Sequence, residues 1–333
     1  MRRSHRFALI LLLVITILIL KWLDRPGSDE LVRGEYVGHT VPDSLPDLFA
    51  PGVVSQQFNE RDAAFTPDGR EFYYTLWTGT FGVILVMRQS DGQWSPPQIA
   101  SFSGTYSDME PFVTSDGRYL YFASNRPETE SDARNDYNIW RVQRHGADWD
   151  TPQPVTVVNS EGDEFYPSLS TRGTLYFTAE LQDTFGSEDI YSSRFENGTY
   201  LPPENLGSAI NSPHADFNAL IAPDERFLLF SSYGRADEIG GGDLYISFQN
   251  EDGWSPARVL PAPINSSHLD YCPALTPDGR YLLFTSRRSV LDSTATSHRS
   301  YDEWIEYLSA PGNGNDDIYW MRFKHLTNAL PED

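Results

Sequence analysis

Cysteine and lysine are almost missing from this chain of 333 residues: Cys272 is the one cysteine, and Lys21 and Lys324 are the two lysines. A lone thiol excludes an intrachain disulfide and a paired-cysteine metal site, and a chain of this size needs neither to hold a core. Cys272 is expected to be a small buried hydrophobe inside a core strand. The shortage of positive charge excludes more. With 47 acidic against 25 basic residues the formal net charge is −22, and such a surface repels phosphate backbones and anionic membranes, which argues against a nucleic-acid partner. There is no Gly-x-Ser-x-Gly elbow and no His-Glu-x-x-His, the arrangements that would mark an α/β-hydrolase nucleophile or a zinc peptidase. Gly240-Gly241-Gly242 is followed by no Lys-Ser/Thr pair, so it reads as a flexible loop and not a phosphate cradle.

Long apolar runs are also missing after residue 23. Before it, Arg2, Arg3 and Arg6 precede an apolar run from Phe7 to Leu20, followed by Lys21, Trp22 and Leu23. The run suits a signal-peptide core and is shorter than the ~20 residues of a full membrane span. No small-x-small cleavage site and no lipobox cysteine follow it, and Lys21 and Trp22 are suited to the membrane interface. The expectation is an uncleaved signal anchor at 1–23 in an inner membrane, a polar tether at 24–41, and a folded domain at 42–325 outside the cytoplasm. Residues 326–333 read as a C-terminal tail. If the segment is cleaved, the domain is secreted to the periplasm.

What is present is a repeat. Five times an acidic residue is followed eight positions later by an Asp-Gly-type turn and then by an aromatic and aliphatic run, with turns at 68, 116, 172, 224 and 278. The best copies are Thr66-Pro67-Asp68-Gly69-Arg70, Thr114-Ser115-Asp116-Gly117-Arg118 and Thr276-Pro277-Asp278-Gly279-Arg280. Spacings of 48, 56, 52 and 54 residues suit a four-stranded propeller blade with variable loops. Aromatics at 14%, including 18 Tyr and 19 Phe, favour pleated, half-buried surfaces. The fold class is therefore all-β, a β-propeller with five repeats.

Each unit reads as four strands, the third opening on an Asp-Ile-Tyr-like start such as Asp189-Ile190-Tyr191 or Asp317-Ile318-Tyr319. The fifth repeat lacks its outer strand, and Pro46-Asp47-Leu48-Phe49 resembles the outer-strand segment Pro203-Glu204-Asn205-Leu206. The N-terminal strand is thus expected to close the last blade, which removes an open sheet edge. The long loop from 287 to 316 contains Ser300-Tyr301-Asp302-Glu303, a capping-box pattern before Trp304, Ile305 and Leu308. Either a short amphipathic helix or a loop packing its aromatics on the ring fits.

The Asp-Ile-Tyr starts, the Trp94-Ser95-Pro96 and Trp254-Ser255-Pro256 segments, Asn205 to Ser212 and the Pro-Asp-Gly-Arg turns resemble the WD-like, or Pro-Asp-Gly, repeats of TolB-type and OmpA-associated propellers. The resemblance covers about 58 to 323. It implies a periplasmic or cell-surface ring that binds or scaffolds a protein or glycan partner in the envelope. Relatives in that family are often six-bladed, which leaves six blades as the alternative.

The most regular polar feature is the column Glu60, Asp108, Glu164, Asp216 and Asp270, expected at the start of each inner strand on the loop-rich face. Such acids either form a cation-attracting mouth or cap turns and pair with blade-edge arginines such as Arg126 or Arg287. Two positions on stand Asp62, Glu110, Tyr166, Asn218 and Cys272. His214-Ala215-Asp216 and His268-Leu269-Asp270 occupy equivalent sites in adjacent blades, and imidazole with carboxylate suits a divalent transition metal. A divalent cation is the one cofactor this pattern suggests. The binding candidates are the five column acids with Tyr301 and Trp304; the metal candidates are His214, Asp216, His268 and Asp270. A carbohydrate-active enzyme, either a metal-assisted lyase or a carboxylate-based hydrolase, stays open as the alternative to a binding ring.

Overall fold

The runs that follow each turn become strands buried on both faces. Phe72, Tyr73 and Tyr74 are buried in succession, as are Leu228, Leu229 and Phe230, and Leu282, Leu283 and Phe284. A strand of this kind needs a packed layer on each side, and here the layers are neighbouring blades. The computed structural model describes residues 32–42, 44–129, 134–289 and 298–323. The apolar run of the N terminus and the tail from 326 lie outside these. Among the described residues no helix is long and apolar enough to cross a membrane.

Among the described residues five antiparallel sheets of four or five strands stand around one axis and make five blades. Their inner strands are Asn59–Phe65, Asp108–Val113, Glu164–Leu169, Ala215–Ile221 and Asp270–Leu275, in blades 1 to 5. The second strands are Glu71–Trp77, Tyr119–Ser124, Leu175–Ala179, Phe227–Tyr233 and Tyr281–Ser286. The third are Gly82–Ser90, Asn138–His145, Asp189–Ser193, Asp243–Asn250 and Asp317–Arg322. Short outer strands follow at Gln98–Ile99, Gln153–Pro154, Glu204–Asn205 and Arg258–Val259. The core is correspondingly divided into slabs between blades. One joins Tyr73, Ile84 and Val86 of blade 1 to Leu120, Phe122 and Trp140 of blade 2, and another joins Leu229 and Ile246 of blade 4 to Leu282 and Tyr319 of blade 5.

Blade 5 takes its outer strand from the N-terminal side, as expected. Asp47–Leu48 pairs antiparallel with the third strand, Asp47 opposite Trp320 and Leu48 opposite Tyr319. Phe49 N then donates to Ile318 O at 2.8 Å. The Phe49 ring, fully buried, packs against Phe72 at 4.9 Å and Trp320 at 5.2 Å, which joins blades 1 and 5 through one side chain.

Part of the segment read as a tether is docked on the ring. Val32 O accepts from Trp94 N at 2.8 Å, and Gly34 O accepts from the Trp94 indole N–H at 2.8 Å. Tyr36 packs against Tyr281 and Trp320 and donates to Asp278 at 2.5 Å. Residues 32 to 36 therefore strap blade 1 to blade 5 on the side of the Asp-Gly turns. The sequence hides this because isolated Tyr and Val residues carry no strand period.

The 287–316 loop contains the helix. Ser300 caps α1 (Tyr301–Leu308) with both bonds of a capping box.

Candidate functional site

All five inner strands carry a bulge at the same place. Pairing with the second strand shifts register between Arg61 and Ala64, Met109 and Phe112, Phe165 and Ser168, Phe217 and Leu220, and Tyr271 and Ala274. The residue that takes the turn is Asp62, Glu110, Tyr166, Asn218 or Cys272, each at φ between 50° and 62°. Left-handed φ at a non-glycine residue costs about 1–3 kcal/mol and persists only where surrounding structure imposes it. Part of that structure, at three of the five bulges, is a threonine hydroxyl. Asp62 N donates to Thr285 Oγ1, Glu110 N to Thr75 Oγ1 and Asn218 N to Thr178 Oγ1, each on the preceding blade. Blade 2 has Ala123 at that register and offers no hydroxyl, so Tyr166 N donates instead to the Glu110 carboxylate at 2.7 Å.

The bulges aim five side chains at the axis. There Arg61 Nε donates to both oxygens of Asp62 at 2.8 and 2.9 Å, and Nη2 donates to Glu110 Oε1 at 2.9 Å and to Cys272 Sγ at 3.4 Å. Asn218 Nδ2 also donates to Glu110. The Arg61 guanidinium lies 5.0 Å from the Tyr271 ring centre. Tyr166 of blade 3 donates to Pro273 O of blade 5 at 2.9 Å. Cys272 is buried as expected, but it faces this polar cluster and not an apolar strand interior; burial pushes its thiol pKa well up, which keeps it an unreactive thiol.

Above the cluster, toward the loop-rich face, is a cavity of about 290 Å³. Its walls are Trp77, Tyr137, Phe165, Phe217 and Tyr271, and Arg61, Glu110, Thr178, Asn218 and Glu188 supply its polar groups. Burial pushes the Glu110 carboxyl up to about 8 against the pull of Arg61, with Asp62 adding to the rise. Burial, with Asp163 and Glu180 nearby, also holds Glu188 above the ordinary carboxylate range. The pocket thus combines flat apolar faces with two carboxyl groups, an amide and a hydroxyl.

The acidic column lies farther from the axis and is buried throughout: Glu60, Asp108, Glu164, Asp216 and Asp270 are exposed by 1% or less. Four of them accept the backbone N–H four residues upstream, from Gln56, Ser160, Ser212 and Ser266. The three aspartates are held by arginines: Arg126 on Asp108, Arg235 on Asp216 and Arg288 on Asp270, each at 2.6 Å. Arg287 pairs with Asp316 instead, at 2.7 Å. His214 and His268 are exposed and their aspartates buried, because each histidine lies in the turn before the strand. Among the described residues no three His, Cys, Asp or Glu side chains gather into a metal-holding group. Tyr301 and Trp304 stand on α1, 78% and 43% exposed. Tyr307 ties that helix down, with its hydroxyl 2.9 Å from Ser289 Oγ.

Sequence reading named the bulge positions without giving them a role, and it missed Arg61. The available signal was a Pro or Ala directly after all five, as in Glu110-Pro111 and Cys272-Pro273, combined with polar residues where a strand interior should be apolar.

No protein-family profile and no curated protein matches this sequence. Among solved structures its backbone is similar to a putative TolB from Agrobacterium tumefaciens, at 16% identity over 80% of this chain and 91% of that one, with a TM-score of 0.47. It is similar to TolB from Acinetobacter baumannii at 12% identity and TM-score 0.48, over 79% of this chain and 54% of that one. A GH43 endo-arabinanase from Bacillus licheniformis gives 13% identity and TM-score 0.48, over 80% and 94%.

Proposed function

We propose that this chain is a membrane-anchored, extracytoplasmic binding ring that seats a saccharide in the axial pocket of its loop-rich face. The observation that carries the proposal is the pocket lining. Trp77, Tyr137, Phe165, Phe217 and Tyr271 offer the flat apolar surfaces on which a sugar ring stacks, while Glu110, Glu188, Asn218 and Thr178 offer donors and acceptors to hydroxyls. The apolar run from Phe7 to Leu20 behind Arg2, Arg3 and Arg6 supports the anchor, and an anchored ring would stand at an envelope surface where glycans are met. Calorimetric titration with neutral oligosaccharides tests the proposal. Binding weakened at least about tenfold in Tyr137→Ala and Phe217→Ala, with folding unchanged, supports it; no binding across a broad glycan array refutes it.

A second reading, turnover of the bound glycan, is favoured by one observation: two carboxyl groups, Glu110 and Glu188, face one pocket and both are held above their ordinary range. Glycoside hydrolysis uses two carboxyl groups at one site, one to give a proton and one to take it or to attack. Release of reducing ends by the intact protein, abolished in Glu110→Gln, separates turnover from binding.

A further inference from the structure

In three blades a guanidinium fills the space beside the acid that opens the inner strand. Arg126, Arg235 and Arg288 each donate through Nη2 to the aspartate and also to the carbonyl six residues before it, at Phe102, Ile210 and Ile264. Each Nε donates to a serine that ends the second strand or lies beside its end, Ser124, Ser232 and Ser286. Blades 1 and 3 lack both parts. Opposite Glu60 and Glu164 stand Leu76 and Ala179 in place of the serine, and Thr78-Gly79 and Leu181-Gln182 follow where the arginine would be.

The charge deficit is greatest between blades 5 and 1: Asp189 and Asp243, in the place of Asp317, also have an unpartnered Oδ1, but the acids beside them, Asp216 and Asp270, are held by Arg235 and Arg288. Glu60 N donates to Asp316 O at 2.8 Å, which sets Glu60 beside Asp317, and both carboxylates are buried. Glu60 Oε2 accepts from Gln56 N and Asp317 Oδ2 from Gly312 N. Their other oxygens, Glu60 Oε1 and Asp317 Oδ1, are buried with no partner. The neighbouring Arg287 is engaged by Asp316. Six residues before Glu60 is Val54, the position whose carbonyl takes the guanidinium in blades 2, 4 and 5. Blade 3 shows the same gap in milder form, because the residue facing Glu164 is Asn138, whose unpartnered Oδ1 carries no charge.

We propose that the seam between blades 5 and 1 binds a hard divalent cation of the calcium class, held by Glu60, Asp317 and the Val54 carbonyl, in the place a guanidinium occupies elsewhere in the ring. All-oxygen donors select calcium or magnesium over zinc or copper, and calcium tolerates the irregular geometry of carboxylates mixed with carbonyls and water. Two buried carboxylates without a countercharge are costly, and a divalent ion matches their combined charge. The bound ion would tie the start of blade 1 to the last blade beside the non-covalent closing strand.

Thermal unfolding of the full chain, stripped with EDTA and titrated with calcium chloride at about pH 7.5, tests this. Calcium at saturation is expected to raise Tm by about 5 °C or more, with a stoichiometry near one by calorimetric titration. Glu60→Gln should abolish the shift and Glu164→Gln should keep it. No calcium response in the wild-type protein, or a full response in Glu60→Gln, overturns the site. So does a Tm indifferent to calcium that rises as pH is lowered from about 8 to 6, which would mean that the two carboxyls share a proton. If Glu60→Gln does not fold, the wild-type titration decides, and absence of binding heat overturns the proposal.

Discussion

Blades 2, 4 and 5 open their inner strands with an aspartate, and blades 1 and 3 with a glutamate. The choice follows the arginine. In the aspartate blades the guanidinium lies between acid, carbonyl and serine and stacks on two or three aromatic rings: Tyr106, Phe122 and Trp140 for Arg126, Phe230 and Tyr245 for Arg235, Phe284 and Tyr319 for Arg288. In the glutamate blades the arginine is gone and the acid is one methylene longer. There neutral donors, the Gln56 backbone N–H for Glu60 and Ser160 for Glu164, stand in for the guanidinium, and burial pushes Glu60 to about 8 and Glu164 to about 7. The same position in a repeat is thus an ion pair in three blades and an uncompensated acid in two. A recurring residue type does not by itself mean a recurring function.

The seam between blades 5 and 1 is where the ring is most vulnerable. Removing residues 42–50 deletes the closing strand and Phe49, whose loss alone is worth about 3–5 kcal/mol; the whole ring should lose its cooperative melt, as calorimetry would show. If the truncated chain melts like the parent, the seam is not closed this way. Next in size is the arginine itself. Arg288→Met leaves Asp270 buried and unpaired and is expected to cost about 3–5 kcal/mol by urea unfolding, with Arg235→Met similar. A loss below about 1 kcal/mol would erase the distinction between the two kinds of blade.

The glutamate blades should respond with the opposite sign. Their folded pKa values lie above the unfolded ones, so the folded state binds more protons and stability falls as pH rises from about 5 to 8. This applies to Glu60 at about 8 and to Asp317 and Glu164 at about 7, in cation-free buffer. Glu164→Gln should flatten part of that slope and leave the protein more stable than wild type at pH 8, by about 1–3 kcal/mol. Equal pH slopes in wild type and variant would show that Glu164 does not titrate in this range. The smallest effect belongs to the surface: Trp304→Ala on α1 should change stability by less than about 0.5 kcal/mol. A pull-down from envelope membranes that weakens with this variant would add a protein partner at α1; an unchanged pull-down would confine recognition to the axial pocket.

Much of the architecture was legible because it is local and periodic. The Asp-Gly turns announce themselves by the φ > 0 that Gly69, Gly117 and Gly279 adopt, and the capping box of α1 spans only Ser300 to Glu303. Even the closing strand could be placed, since Pro46 to Phe49 repeats the pattern of an outer strand that the last blade lacks. The site was less legible. Nothing within reach of Arg61 in sequence, apart from Asp62, shows that Glu110 and Cys272 are its partners, 49 and 211 residues away.

The sequence alone determined the repeat, its strand composition, the acidic balance and the ring's need for a borrowed strand, because each follows from short-range turn chemistry and alternating burial. Tertiary structure decided which acids are paired and which are bare, that the bulges turn Asp62, Glu110, Tyr166, Asn218 and Cys272 inward, and that an aromatic pocket opens above them. Those outcomes depend on side chains from different blades meeting at one axis, and the energy of a buried charge is set by the neighbours that meet it there and not by the residue that carries it.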